Sequence, residues 1–426
     1  MGSDAIRGCD FNSLTPSCLD EHEITLLPPA MFNPTGFDRL RQEYTELGQI
    51  FKVAGFPGVE SPSRYFLEVH SDAGAMFRPN DRASYLYGII TYLGGFHVMS
   101  NTMDAICKAL DHQGMEDVAS KHGYSSPGQL GYVMGNCKYD KTKTFLSCVV
   151  RVAMGQSLIN TIIKASNGKL SRESIQLEDC NAYLQNDEGD LNFRNVKNIF
   201  NVLNSLELMF ASESTDDVSN GQAGMDRYDA GRRFLLPFFY SCGSVTYGPE
   251  TVLEMLMVYV QFKREFREYH RSSWIIDNKH HDRRMEEVNR GQKFHCGGGM
   301  MTKKVVEEST VLLANSRESE KSSLASVDLR KKAHGYSRSF MTLAPDLAAV
   351  TKLLDDEEIW VKTPDRKETY HLGNRGKTVD AKLTMEALMK YGEEGLQRNL
   401  PALVSSAVGD NKRPKHPQAA WNVLVR

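Results

Sequence analysis

The stretch of sequence that decides the fold is YLYGIITYLGGFHVMSNTMDAI, residues Tyr85–Ile106. Its first part, Tyr85–Leu93, is an almost continuous apolar run, which is typical of a buried strand. Gly94 and Gly95 end that run, and apolar residues then recur every three or four positions, as they do along one side of a helix. A strand that passes through a tight glycine turn into a helix indicates an α/β fold.

Helical patterns dominate the chain on either side of this unit. Upstream, Thr35–Phe51 has helical spacing, and Tyr65–Val69 is a short aromatic and β-branched strand. Downstream, helical spacing recurs from Met115 to Tyr269, interrupted by polar stretches, of which Ser212–Arg227 is predicted to be a solvated loop. The sequence therefore predicts an α/β fold in which helices dominate.

The length of the chain predicts more than one structural unit. It has 426 residues, and single hydrophobic cores usually stop growing near ~250–300 residues. Residues 314–327 are polar and rich in serine, which makes them the best linker candidate. The predicted order is an N-terminal leader and helix (1–60), the first part of an α/β core (61–114), a helical insertion (115–271), the end of the core with an acidic helix and a glycine-rich turn (272–313), the linker, and a charged C-terminal region (328–426).

Composition narrows the classes of function. The net charge is −3, so nucleic-acid binding would need a local basic patch and not a basic body. No apolar run reaches the ~18–20 residues of a membrane helix, and Ile6 breaks the pattern that would make Gly2 a myristoylation site. The eight cysteines are scattered without a CxxC pair. We therefore expect an intracellular protein, nuclear or cytoplasmic, without a membrane partner.

One candidate site precedes the deciding stretch and a second lies within it. Asp72 follows the first predicted strand, where a carboxylate can bind a divalent cation, although Ser-Asp-Ala-Gly is also good turn chemistry. His97, Asn101 and Asp104 follow the glycine pair with helical spacing and share one face. That face is either a ligand set or the polar stripe of an amphipathic helix.

A third candidate is the charged segment Trp274–Gly299. Glu286 or Glu287 could place a metal-binding carboxylate beside phosphate contacts, and a solvated charged helix is the alternative. The basic residues that we predict to contact nucleic acid in and after this segment are Arg283, Arg284, Arg290, Lys293, Lys303 and Lys304. Zinc is not expected, because the spacing of His280, His281, His295 and Cys296 matches no zinc pattern.

In this order, the three candidates resemble a family of uncharacterised eukaryotic proteins found in repetitive, transposon-like genes. The resemblance spans roughly residues 65–301 and is carried by Asp72 and by three stretches. They are YLGGFHVMSNTMDAI (Tyr92–Ile106), GYVMGNCKYDKTK (Gly131–Lys143) and IIDNKHHDRRMEEVNRGQKFHCGGG (Ile275–Gly299). Such families look like ribonuclease-H-type transposases, which place acidic residues on a first strand, near a later strand, and on a helix after a helical insertion.

The resemblance implies two-metal phosphoryl transfer on DNA. The implied catalytic residues are Asp72, His97 and Glu287, and the implied Mg²⁺ ligands are Asp72, Asp104 and Glu287. The acidic residue of the late helix falls either on Glu287 or nearer Asp282. Carboxylates of this kind hold a pair of metal ions that activate the nucleophile and stabilise the leaving oxygen.

A rival hypothesis is a non-enzymatic interaction or self-assembling structural protein. It is supported by the lack of a phosphate-binding GxxxxGK[ST] loop, a GxSxG elbow and an HExxH helix in the sequence. A domesticated descendant of a transposase would also lack catalysis while retaining DNA binding. The sequence leaves the oligomeric state open, homo-oligomers included.

Overall fold

The computed structural model describes residues 37–62, 67–71, 89–122, 126–134, 139–213, 221–242, 246–261 and 336–408, together with 124 and short pieces within 275–286. Of the predicted site residues, Asp72, Glu287, Arg284, Arg290, Lys293, Lys303 and Lys304 lie outside the described residues, as do His281, His295 and Cys296.

The two strands predicted before the glycine turn pair in parallel. β1 (Leu67–Ser71) and β2 (Ile89–Leu93) are in register from Leu67 opposite Ile89 to Ser71 opposite Leu93. Parallel neighbours need a crossover of a dozen or more residues, and residues 72–88 connect the two strands. The carboxyl ends of both strands therefore meet at one edge. There, the buried side chain of Leu93 immediately precedes the glycine pair.

The N-terminal helix packs beside this strand pair. α1 (Phe37–Ile50) is followed by a compact turn, and together they bury Tyr44, Val53 and Phe56 in a small separate core. Val69 of β1 packs against this core, so the helix predicted at Thr35–Phe51 supports β1.

The helix that begins at the glycine pair, α2 (Gly95–Asp111), is buried around most of its circumference. Its apolar positions are inside the main core. His97, Asn101 and Asp104, which were predicted to share one face, form with Lys108 a partly exposed stripe along the helix.

The body of the protein consists of helices that share one large hydrophobic core with α2. In chain order they are α3 (Met115–Lys121), α4 (Pro127–Val133), α5 (Tyr139–Lys143), a π-helical segment (Thr144–Arg151), α6 (Val152–Ala165), α7 (Leu177–Gln185), α8 (Leu191–Ala211), α9 (Gly221–Ser241), α10 (Tyr247–Leu256) and a second π-helical segment (Met257–Gln261).

The stretch Ser212–Arg227, predicted to be a solvated loop, differs from that prediction at both ends. Ser212 and Glu213 are buried, and α9 already begins at Gly221. The polar composition misled the prediction, because Ser212 and Glu213 bond to other polar side chains inside the protein.

The C-terminal region contributes to the same core as the predicted insertion. It forms α11 (Tyr336–Asp356), a hairpin of β5 (Tyr370–His371) and β6 (Asn374–Thr378), and α12 (Met385–Val408). Trp360 is completely buried, donates its indole N–H to the carbonyl oxygen of Met154 at 2.9 Å, and packs edge-on against Phe193 and Phe200. The C-terminal region was predicted as a unit of its own. Its described part instead packs into the same core as the helical body.

The α/β, helix-dominated class is confirmed. The strands in the described residues form three two-stranded pairs: β1 with β2, β3 (Ile275–Ile276) with β4 (Lys279–His280), and β5 with β6. One described helical run, Tyr139–Ala165, is long and apolar enough to cross a membrane by length and composition, but half of its most apolar window is buried inside the protein. A core helix passes the same test, so this run alone does not indicate a membrane span.

Candidate functional site at the start of α2

A late segment of the chain contacts the glycine pair at the start of α2. A Cβ atom on Gly94 would overlap the carboxylate of Asp282 and lie 2.8 Å from its Cβ, and one on Gly95 would overlap the ring of His280. The backbone of Gly94, with φ −61° and ψ 122°, is one that any residue can adopt. Glycine is therefore needed at this position for close approach and not for its conformational freedom.

Asp282 caps α2 with its carboxylate. Its Oδ1 accepts a hydrogen bond from the backbone N–H of Phe96 at 3.0 Å, and its Oδ2 accepts one from the backbone N–H of His97 at 2.9 Å. The first N–H groups of a helix have no partner within the helix, and Gly94 has no side chain to supply one. An ionised carboxylate is also favourable there because the helix N-terminus carries partial positive charge.

The same carboxylate orients the ring of His97. Nδ1 of His97 lies 2.8 Å from Oδ2 of Asp282, and its side chain is 29% exposed while that of Asp282 is 6% exposed. Since an ionised carboxylate only accepts hydrogen bonds, Nδ1 carries the proton and Nε2 is the ring nitrogen that can accept one. The arrangement is a histidine–carboxylate pair at the edge where β1 and β2 end.

The environment of Asp282 keeps it ionised. Burial raises its pKa, but the hydrogen bonds from His97 and Phe96 and the neighbouring His280 outweigh burial and lower the pKa from 3.8 to about 2. Three N–H groups occupy most of the roughly four lone-pair sites of this carboxylate. Asp282 therefore fits the role of a positioning group for α2 and His97 and does not fit that of a Mg²⁺ ligand.

His280 is a packed core residue at this site. It is 1% exposed, its Nε2 lies 3.3 Å from Oγ of Ser212, and its ring packs 5.3 Å from the ring of Tyr228. Among the described residues, no three His, Cys, Asp or Glu side chains are grouped as a metal site would require. With this burial and these contacts, His280 is a packing residue beneath the glycine pair.

A buried ionic network supports the site from behind. Glu254 accepts the backbone N–H of Leu93 at 2.7 Å and a hydrogen bond from Arg232 at 2.5 Å, and Arg232 also donates to Asp229 at 2.6 Å. Burial would lower the pKa of Arg232, but the two carboxylates raise it, so the guanidinium stays charged. Its guanidinium lies 5.0 Å over the ring of Tyr228, which connects this network to His280.

Arg283, the basic residue next to Asp282, is held by acidic side chains. Arg283 pairs with Glu213, which also lies 3.9 Å from Lys143. The guanidinium of Arg283 lies 3.9 Å from Asp140 and 5.8 Å over the ring of Tyr139. Its side chain is 19% exposed. These contacts fasten the late segment to the end of α8 and the start of α5.

The other predicted site residues on α2 bond to partners other than Asp282. Asp104, predicted as a metal ligand, forms a 2.7 Å ion pair with Lys108 on the helix surface. The side-chain amide of Asn101 donates to the carbonyl oxygen of His97 at 2.9 Å. In the described part of the chain, the site is thus built on His97 and Asp282, and the stripe beyond them is a surface feature.

The sequence did not predict the roles of the residues that hold the site together. Glu254 did carry a signal, because it interrupts the apolar run Leu253–Val260, and a charged residue on an apolar helix face needs a buried partner. Asp282 was one of two positions that the resemblance offered for the acidic residue of the late helix, but nothing in the sequence indicated that it caps α2. Glu213 carried no signal, since it stands in a polar stretch typical of solvated surface.

Comparisons with protein-family models, with curated proteins and with solved structures find no match to this chain.

Replacing Gly94 by Ala should lower the free energy of unfolding by about 1–3 kcal/mol, because the new Cβ must displace the packed Asp282. Gly131→Ala is the matched control: Gly131 lies in α4 with open space around it, so alanine should be neutral or stabilising by up to about 1 kcal/mol. Urea denaturation of both variants measures this. Equal effects would contradict the close approach of Asp282.

The ionisation of Asp282 should stabilise the fold above pH 4 and lose that effect as the pH falls towards 2. The unfolded chain takes up the proton near pH 3.8 and the folded chain near pH 2, so the free energy of unfolding decreases between those values, by about 2 kcal/mol in total. The test compares urea denaturation of the wild type and of Asp282→Asn from pH 5 to pH 2.5. Their stability difference should shrink as the pH falls, and a constant difference would contradict the depressed pKa.

Proposed function

We propose that this chain is a transposase-derived protein with a ribonuclease-H-like core that acts on DNA by metal-dependent phosphoryl transfer. Its site would lie at the edge where β1 and β2 end. The observation that carries the proposal is the parallel register of these strands, with Ser71 opposite Leu93. Sites in α/β proteins form outside the carboxyl ends of parallel strands.

Three separate parts of the chain support that location. Asp72 follows Ser71 directly in the sequence, and His97 lies in the first turn of the helix that follows Leu93. Asp282, from the late segment, accepts hydrogen bonds at the same place. The resemblance to transposases implies this convergence of an early strand, a following strand and a late acidic segment.

The roles in the proposed reaction follow from the groups available. Asp72 and Glu287 would hold the Mg²⁺. The resemblance implies Asp104 as a third ligand, which would have to exchange its surface ion pair with Lys108 for the metal ion. When bound, Mg²⁺ supplies activation of the attacking hydroxyl group and neutralisation of negative charge on the phosphate. Asp282 holds the ring of His97, which would exchange a proton at Nε2 with the attacking or leaving oxygen.

The basic residues divide into two groups in this proposal. Arg283 is engaged with Glu213 and would fix the late segment in place. The phosphate contacts would come from Arg284, Arg290, Lys293, Lys303 and Lys304, which follow Arg283 in the sequence. Each such contact would add to the salt dependence of DNA binding, because it releases counterions from the DNA.

A non-enzymatic DNA-binding or self-assembling protein is the second candidate. The observation in its favour is that Asp282 and Arg283 both bond to partners inside the protein. This is what a site kept for stability after the loss of catalysis would look like. Its DNA binding would then need no metal ion.

The test is a cleavage assay on labelled single-stranded and duplex DNA with Mg²⁺, Mn²⁺ or EDTA. We expect metal-dependent cleavage that Asp72→Asn and Glu287→Gln abolish and that His97→Gln reduces by about 10²–10⁴-fold, as the loss of a general acid–base group does. Asp356→Asn, an exposed carboxylate paired with Lys352, is the control and should cleave like the wild type.

The outcomes separate the two candidates. Binding in EDTA without cleavage in any metal would favour the non-enzymatic protein. Cleavage that survives both Asp72→Asn and Glu287→Gln would refute the assignment of roles. Asp104→Asn decides whether Asp104 acts as a metal ligand or as the surface partner of Lys108.

A further inference from the structure

A second feature with the character of a ligand site is a groove between the first π-helical segment and α8. It has a volume of about 420 Å³, within the range of small-molecule sites. Asn201, Asn204 and Leu208 line one face of α8 at helical spacing, and Arg151 and Phe234 form the other sides. Leu208 is 40% exposed, which is high for a large apolar side chain. Segments of π-helix often occur at functional sites.

Three polar side chains in this groove make few hydrogen bonds with the described residues. Nε of Arg151 is buried and makes no hydrogen bond within the described part of the chain. Glu207 forms an ion pair with Arg151 at 3.7 Å from Nε, which is too long for a hydrogen bond. The side-chain amides of Asn201 and Asn204 likewise make no hydrogen bond with the described residues. An anion that displaces Glu207 can accept a hydrogen bond from Arg151, and the two amides can bond to the same ligand.

The groove and the site at the start of α2 lie along the same helix, α8. α8 runs from the groove to Ala211, and the next residues, Ser212 and Glu213, contact His280 and Arg283. By the rise of a helix, the distance along α8 from Asn204 to its end is roughly 10 Å. A strand bound in the groove would therefore have to extend about two turns along α8 to reach that site.

We propose that this groove holds one nucleotide of single-stranded DNA whose strand continues to the site at the start of α2. The base would lie against Leu208 and Phe234, because every base has an apolar face that packs on such side chains. Asn201 and Asn204 would pair with its edge, since an amide presents a donor and an acceptor together. Arg151 would bind the phosphate in place of Glu207. This inference rests on the proposed function and specifies the form of its substrate.

The test measures binding of a labelled single-stranded oligonucleotide to the full chain by fluorescence anisotropy in EDTA, where no cleavage occurs. Arg151→Gln should weaken binding roughly tenfold and lower the slope of log K against log salt by about 1. Glu207→Gln should strengthen binding, because it removes the competitor for Arg151. Asn204→Leu, close in volume but without an amide, should weaken binding to the single strand and leave duplex binding unchanged.

Arg398→Gln and Glu394→Gln are the matched charge controls, because both residues are exposed on α12 away from the groove. They should bind like the wild type. The proposal is overturned if Arg151→Gln and Arg398→Gln behave alike, if Glu207→Gln weakens binding, or if the oligonucleotide does not bind. Binding of free deoxyadenosine monophosphate without binding of the oligonucleotide would also overturn it, since the ligand would then be a free nucleotide.

The failure of this inference is distinct from failure of the proposed function. If Asp72→Asn abolishes cleavage while the groove variants bind like the wild type, the function stands and the groove proposal fails. If no metal supports cleavage but the groove variants shift binding as expected, the groove proposal stands without catalysis.

Discussion

The hydrogen bonds from the start of α2 to the carboxylate of Asp282 are the interaction on which the candidate site depends. They satisfy two N–H groups that Gly94 cannot cap, and they fix the ring of His97. They also require that Gly94 and Gly95 have no side chains, because Asp282 and His280 occupy that space. One contact thus joins the strand–glycine–helix unit to a segment far along the chain.

The second constraint is the burial of charge behind this contact. Arg232 has no exposed side-chain surface, and its two carboxylate partners come from α9 and α10. Removing one partner would leave a buried charge uncompensated, which typically costs about 3–5 kcal/mol. Because Glu254 also accepts the N–H of Leu93, the network fixes the end of β2 relative to these helices. The groups that position the site are thus themselves held by buried contacts, as precise orientation of His97 requires.

Local patterns predicted the local structure well and the long-range contacts poorly. The apolar run, the glycine pair and the helical spacing predicted β2, the turn and α2, because each depends only on neighbouring residues. The capping by Asp282 joins residues 185 and 186 positions apart, and a single sequence contains no signal of such a pairing. Trp360 is a similar case, since it stands in a charged region yet completes the core beside Met154.

The most direct test of this account is a double-mutant cycle of His97→Ala and Asp282→Ala, measured by urea denaturation at neutral pH. If the carboxylate of Asp282 orients the ring of His97, the two changes should couple by about 1.5–3 kcal/mol, the usual contribution of a hydrogen bond to a charged group. Effects that add to within about 0.5 kcal/mol would show that the two side chains do not interact, and would contradict the account.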